Sequence, residues 1–178
     1  MGYKIAAILA TNSDFEKFPC YENLKKLPVD IYRVQDFPDW NSWNWREHLL
    51  RKLDTVKPGI VIQLDQDEQF DSGIIDEIER FYHSDKLCMM FDYKMITDND
   101  RRVAKYPSLR HCKVFKWKEG LTFHPYAGLA LPTQYANTLA EMKTKYWLAE
   151  TKILHYCFYT PEMEKAKTEY AINKYGML

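Results

Sequence analysis

Asp65 and Asp67 stand two residues apart in GIVIQLDQDEQF (59–70), with Glu68 directly after them. The residues that lead in, Gly59 to Leu64, are almost purely apolar, so the acids follow a segment built to be buried. On an extended chain, residues i and i+2 project to the same side. Two carboxylates placed that way repel each other unless a hard divalent cation such as Mg²⁺ or Mn²⁺, with any phosphates it bridges, lies between them. A calcium loop of the EF-hand type does not fit. Counted from Asp65, its fifth and sixth positions need Asp or Asn and then Gly, and they hold Gln69 and Phe70. The plain alternative is a solvated loop from Asp65 to Asp71 that ends in a helix cap.

The flanking pattern predicts what must position these acids. YKIAAILAT (3–11) reads as an opening strand broken at Thr11-Asn12-Ser13, and VDIYRVQD (29–36) as a second strand ending at Asp36. WNSWNWREHLLRKLDTVKPG (40–59) places Trp45, Leu49, Leu53 and Val56 on one helical face, and Pro58-Gly59 ends that helix before the apolar strand. Strand, helix and strand in this order predict a mainly parallel sheet with both faces covered. In such a sheet, ligands gather beyond the carboxyl ends of the strands, where the acid cluster falls.

Further along, Asp71 or Ser72 is expected to cap a helix whose apolar stripe is Ile74, Ile78, Phe81 and Tyr82, followed by one strand in KLCMMFDYKMI (86–96). The alternation in HCKVFKW (111–117) predicts another strand, with an antiparallel direction left open, and helices are expected from about Gln134 to Tyr146 and from Thr160 to Gly176.

A chain of 178 residues is the size of one domain, so a single unit over 1–178 is expected. Lys plus Arg and Asp plus Glu both number 25, which excludes the general basic excess of a nonspecific nucleic-acid binder. Cys20, Cys88, Cys112 and Cys157 form no CxxC pair, which argues against a zinc knuckle or a disulfide framework and fits a reducing compartment. Ile5 to Ala10 is too short for a signal-peptide core or a membrane span, and a cytoplasmic protein without a transmembrane segment is expected.

Three blocks together, WREHLLRKLDTVKPGIVIQLDQDEQF (45–70), LRHCKVFKWKEGLTFHPYAG (109–128) and ILHYCFYTPEMEKAKTEYAINKYG (153–176), resemble the compact family 2-type glycosyltransferases of the GT-A fold. They cover about two fifths of the chain in the family's order. The resemblance implies an α/β fold with a mainly parallel central sheet flanked by helices and an antiparallel C-terminal part. It also implies transfer of a sugar from a UDP- or GDP-sugar with Mn²⁺ or Mg²⁺ as cofactor. The D-x-D motif of the family falls on Asp65 and Asp67. By resemblance Asp67 and His155 are direct metal ligands, Asp65 acts through water or on the ribose, and Arg46 adds positive charge to the diphosphate. Thr11, Asn12 and Asp36 fall where such a fold receives base and ribose; read as residues alone, they are equally turn formers. Arg46 alone reads as an exposed helix residue, and His155 alone as a hydrogen-bonded structural imidazole.

The acceptor side departs from the family. Trp117, Gly120 and His124 align with its Trp, Gly and His-Glu positions, but Pro125 stands where the Glu belongs. Glu119, His124 and Asp92 are therefore the candidates for a catalytic base. Arg101, Arg102 and Arg110 could meet phosphate or form a solvated turn, and Trp40 and Trp43 could stack on a sugar or base. The acceptor stays open among a glycan, a lipid-linked sugar, a protein and a modified nucleic-acid base. Two other classes compete: a metal-dependent nuclease or phosphotransferase, which usually brings a second close set of strand-end acids, and a non-catalytic nucleotide-sugar-binding module.

Overall fold

The computed structural model describes residues 2–11, 16, 18–35, 42–96, 111–122 and 144–156. In chain order their elements are β1 (Ile5–Thr11), α1 (Pro19–Leu24), β2 (Asp30–Gln35), α2 (Ser42–Val56), β3 (Ile60–Gln63), β4 (Glu68–Phe70), α3 (Ile74–Tyr82), β5 (Cys88–Phe91), β6 (Tyr93–Ile96), β7 (His111–Lys116), β8 (Tyr146–Leu148) and β9 (Ile153–Tyr156).

The central sheet has six strands in the order β2-β1-β3-β7-β5-β8. β1 is parallel to β2 and β3, β5 is parallel to β8, and β7 lies antiparallel to both of its neighbours. The result is an α/β unit with a mixed, mostly parallel sheet flanked by helices. β1 explains why its sequence is apolar throughout: Ile5, Ala7 and Leu9 point into one core while Ala6 and Ile8 point into the other. The first core holds Cys20 and Leu24 of α1 and Ile74, Ile78 and Phe81 of α3, and the second holds Leu49, Leu50 and Leu53 of α2. With α1 and α2 on opposite faces, the winding reverses between β1 and β3, the switch point beyond whose carboxyl ends ligands usually gather in such sheets.

Several expectations need correction. Neither Asp71 nor Ser72 caps α3; Gly73 takes the N-cap position at φ 57°, where glycine meets little strain. Asp71 instead accepts the Lys152 N–H and the Lys94 ammonium, each at 3.1 Å. KLCMMFDYKMI is two strands, β5 and β6, which part at Asp92 and join different sheets. β6 belongs to a second sheet of order β4-β9-β6, in which β9 runs antiparallel to β4 and parallel to β6. The C-terminal strands are thus not simply antiparallel, and the antiparallel member of the central sheet is β7. Tyr146 opens β8 and so cannot close the expected 134–146 helix, whose residues before Thr144, like the helix from Thr160, lie outside the described residues.

Candidate active site on the acid loop

Parallel pairing with β1 places the end of β3 at the carboxyl edge of the sheet, at the switch point. The chain leaves β3 through Leu64 and turns at once, with the Glu68 N–H donating to the Asp65 carbonyl at 3.0 Å. That turn corrects the extended reading of the motif. Among the described residues Asp65 and Asp67 turn to different partners: Asp65 Oδ2 is 3.1 Å from the Lys113 ammonium, while Asp67 Oδ2 is 3.5 Å from His155 Nε2.

The small sheet brings His155 there. Glu68 of β4 lies opposite His155 of β9, and Phe70 opposite Ile153, so these four side chains share a face. Phe70 and Ile153 join the core, and Glu68 and His155 form the polar end of the same surface. The Tyr156 N–H donates to the Asp67 carbonyl at 2.8 Å and fixes the turn against β9. The Tyr93 ring meets the His155 ring edge-on, with centroids 5.6 Å apart.

Glu68 is 2% exposed and Lys113 5%, so both charges depend on protein partners. Glu68 Oε2 accepts the Lys113 ammonium at 2.7 Å and the Asp65 N–H at 2.9 Å; its Oε1 accepts the Tyr93 hydroxyl at 2.6 Å. Burial pushes the Glu68 carboxyl above the usual carboxylate range against the pull of Lys113. The Tyr93 hydroxyl is driven far up by burial and by the neighbouring Glu68 charge. Burial pulls His155 down, but the hydrogen bond to Asp67 and the charges of Asp67, Glu68 and Asp65 outweigh it and hold the imidazole above its ordinary value. Cys20, buried behind the acids, is pushed up to about 12, first by burial and then by the Asp67 charge.

Two of these side chains, Asp67 and His155, have a separation compatible with a shared divalent cation. Ligand atoms about 2.1 Å from a common cation lie roughly 3–4 Å apart, and Asp67 and His155 meet that spacing at 3.5 Å. Among the described residues three carboxylates, Asp65, Asp67 and Glu68, gather around one ammonium, that of Lys113, with His155 beside Asp67. Among the described residues no group of three or more His, Cys, Asp and Glu side chains forms a cage. Mg²⁺ and Mn²⁺ commonly take few protein ligands and complete their shell with water and substrate phosphate.

The other sequence candidates divide by position. Thr11 ends β1 and Arg46 lies in the first turns of α2, so their backbones reach the same carboxyl edge. Asp92 is exposed at the break between β5 and β6, immediately before Tyr93, and its carbonyl accepts the Ile153 N–H at 3.1 Å. Glu119 is not brought to the site. Because β7 is antiparallel, it returns the chain to the amino end of β3, where Glu119 pairs with Lys57 at 3.4 Å, roughly 10 Å or more of strand away from the acid loop. Asn12, Asp36, His124, Arg101, Arg102, Arg110 and Trp40 lie outside the described residues.

Sequence reasoning missed Lys113 and Tyr93. The available signal was the lysine inside the apolar run HCKVF, since a charge on a buried strand requires an opposite charge.

Fold and site together define an α/β domain with an acidic loop and a neighbouring histidine at the carboxyl end of β3. No protein-family model matches the sequence, and no curated protein matches it. Among solved structures the chain is similar to the crystal structure of A197 from STIV, with a TM-score of 0.54 at 12% identity, over 86% of this chain and 85% of that one. At that identity the likeness concerns the fold alone. Among the described residues no helix is long and apolar enough to cross a membrane.

Proposed function

We propose that the protein is a metal-dependent glycosyltransferase of GT-A type that transfers a sugar from a UDP- or GDP-sugar to an acceptor hydroxyl. The observation that carries this reading is the convergence of Asp67 and His155, 88 residues apart in sequence, to 3.5 Å at the carboxyl edge of the sheet. These are the two residues that the resemblance to family 2-type enzymes marks as metal ligands.

Asp67 and His155 would hold the cation, Mn²⁺ or Mg²⁺, and when bound it supplies positive charge to the departing diphosphate. Asp65, half-buried and oriented by Lys113, would act through a metal-bound water or on the donor ribose. Arg46, early in α2, adds charge on the same edge, and Thr11 opens the base and ribose side. Asp92 and His124 stay as candidates for the base. Glu119 is withdrawn from that role, because a base must reach the acceptor proton within hydrogen-bond distance.

A second reading, a nucleotide-sugar binder without turnover, draws on the position of Glu119 at the far end of β3. Calorimetric titration of UDP, GDP and their sugar conjugates with Mn²⁺, with EDTA, and on Asp67→Ala tests the proposal. Binding that needs both the metal and Asp67 supports it, and hydrolysis or transfer of the bound sugar separates the enzyme from the binder. Absence of binding under every condition would sink both.

A further inference from the structure

Lys113 reaches the acid loop through an irregularity in β7. Met89 of β5 pairs with Val114 and Met90 with Cys112, which leaves Lys113 as the extra residue of a β-bulge. A bulge re-aims the side chain it carries, and here the ammonium lands between Glu68 and Asp65 at 2.7 and 3.1 Å, in a side chain 5% exposed. With the Asp65 N–H and the Tyr93 hydroxyl, three of the roughly four lone-pair directions of Glu68 are taken from inside the protein. A divalent cation approaching Glu68 would meet a fixed positive charge.

We propose that Lys113 is the resident cation of this site: it removes Glu68 and one oxygen of Asp65 from metal ligation, and so limits the acid loop to a single divalent ion on the Asp67–His155 side. The inference rests on the metal-site reading above and deepens it. It also separates the site from two-metal phosphoryl chemistry, which needs a second ion about 4 Å away. Lys113 acts here as a positioning residue, since it touches the acids and not the reacting groups.

Bound Mn²⁺ per chain, counted by electron paramagnetic resonance of the free ion, tests the proposal together with melting temperatures in Mn²⁺ and in EDTA. The wild type should bind one ion, and Asp67→Asn should weaken it by about tenfold or more. Glu68→Gln keeps the side-chain shape, and the Tyr93 hydroxyl can turn to match the amide, so its affinity should stay within about threefold of wild type. Lys113→Met should bind a second ion between Asp65 and Glu68, or fold only when Mn²⁺ replaces the missing charge. Two ions in the wild type, a tenfold loss in Glu68→Gln, or a folded Lys113→Met that still binds one would overturn the proposal. If Lys113→Met folds under neither condition, the wild-type count and Glu68→Gln decide. One ion in Lys113→Met but none in the wild type would sink the Asp67–His155 metal site while keeping Lys113 as the resident cation. No ion in either would sink both.

Discussion

Replacing Glu77 by glutamine probes the joint that carries β9, and with it His155, to the acid loop. Glu77 lies on α3 at 2% exposure, and its carboxylate binds the turn between β8 and β9. Oε1 accepts the Trp147 indole N–H at 3.0 Å and the Glu150 N–H at 2.7 Å, and Oε2 accepts the Thr151 N–H at 3.0 Å. A glutamine can keep its oxygen toward the first two donors only by turning its amide N–H₂ against the Thr151 N–H. One charge-assisted bond is then lost and two become neutral, a cost of about 2–4 kcal/mol. For a domain of this size that corresponds to roughly 5–15 °C in melting temperature. Burial alone would raise the Glu77 carboxyl, but the Glu150 and Thr151 N–H groups and the Trp147 indole outweigh it and hold the group below the ordinary carboxylate range. Because the folded value is the lower one, the stabilisation is complete above the unfolded value of about 4.3 and fades as pH falls through the folded value. Urea unfolding of wild type and Glu77→Gln should therefore show the full gap at pH 7 and a shrinking one below about pH 4. A gap under about 1 kcal/mol at pH 7, or one that persists unchanged in acid, would refute this account of the joint.

Three other substitutions test separate parts of the framework. Gly59→Ala would put a Cβ 2.9 Å from Tyr3 Cβ and 3.0 Å from Tyr82 Cε2, beneath two rings stacked at 3.7 Å, and should cost about 1–3 kcal/mol in urea unfolding; an unchanged midpoint would contradict it. The Asn23 side chain accepts the Phe70 N–H at 3.1 Å and donates to the Phe70 carbonyl at 3.2 Å, covering the outer edge of β4 as a neighbouring strand would. Asn23→Ala should lose about 1–2 kcal/mol and speed hydrogen exchange at the Phe70 amide, and equal exchange rates would count against this role. Glu119→Ala should leave nucleotide binding unchanged and shift the melting temperature by no more than about 2 °C, since its pairing with Lys57 is exposed; a tenfold loss of binding would show that Glu119 reaches the site after all.

What the sequence disclosed and what it concealed follow from the range of the interactions involved. β1, β2, α2 and β3 were legible because each carries its own signal: an apolar run for a strand buried on both faces, a helical period at Leu49 and Leu53, and a Pro58-Gly59 stop. β7 was legible as a strand for the same local reason, whereas its antiparallel direction is set by its pairing with β3 and β5. β4, β8 and β9 have three or four residues each, too few to show a period. What makes β4 a strand is its register with β9, Glu68 against His155, across 87 positions of sequence. The break at Asp92 is invisible in KLCMMFDYKMI because both of its halves are good strand formers, and only the existence of a second sheet divides them.

The same limit shapes the chemistry. The acids were visible as acids, and the turn that splits Asp65 from Asp67 was not, because a single backbone hydrogen bond from Glu68 to Asp65 decides it. That turn sends one carboxylate toward a lysine on a bulge of β7 and the other toward a histidine on β9. The motif therefore does not act as a symmetric pair. Its first acid and Glu68 meet an ammonium that the chain itself supplies, while among the described residues Asp67 faces an imidazole. An apolar strand can end in three acids because the fold neutralises them unequally. That inequality is the feature on which the proposed single cation site rests.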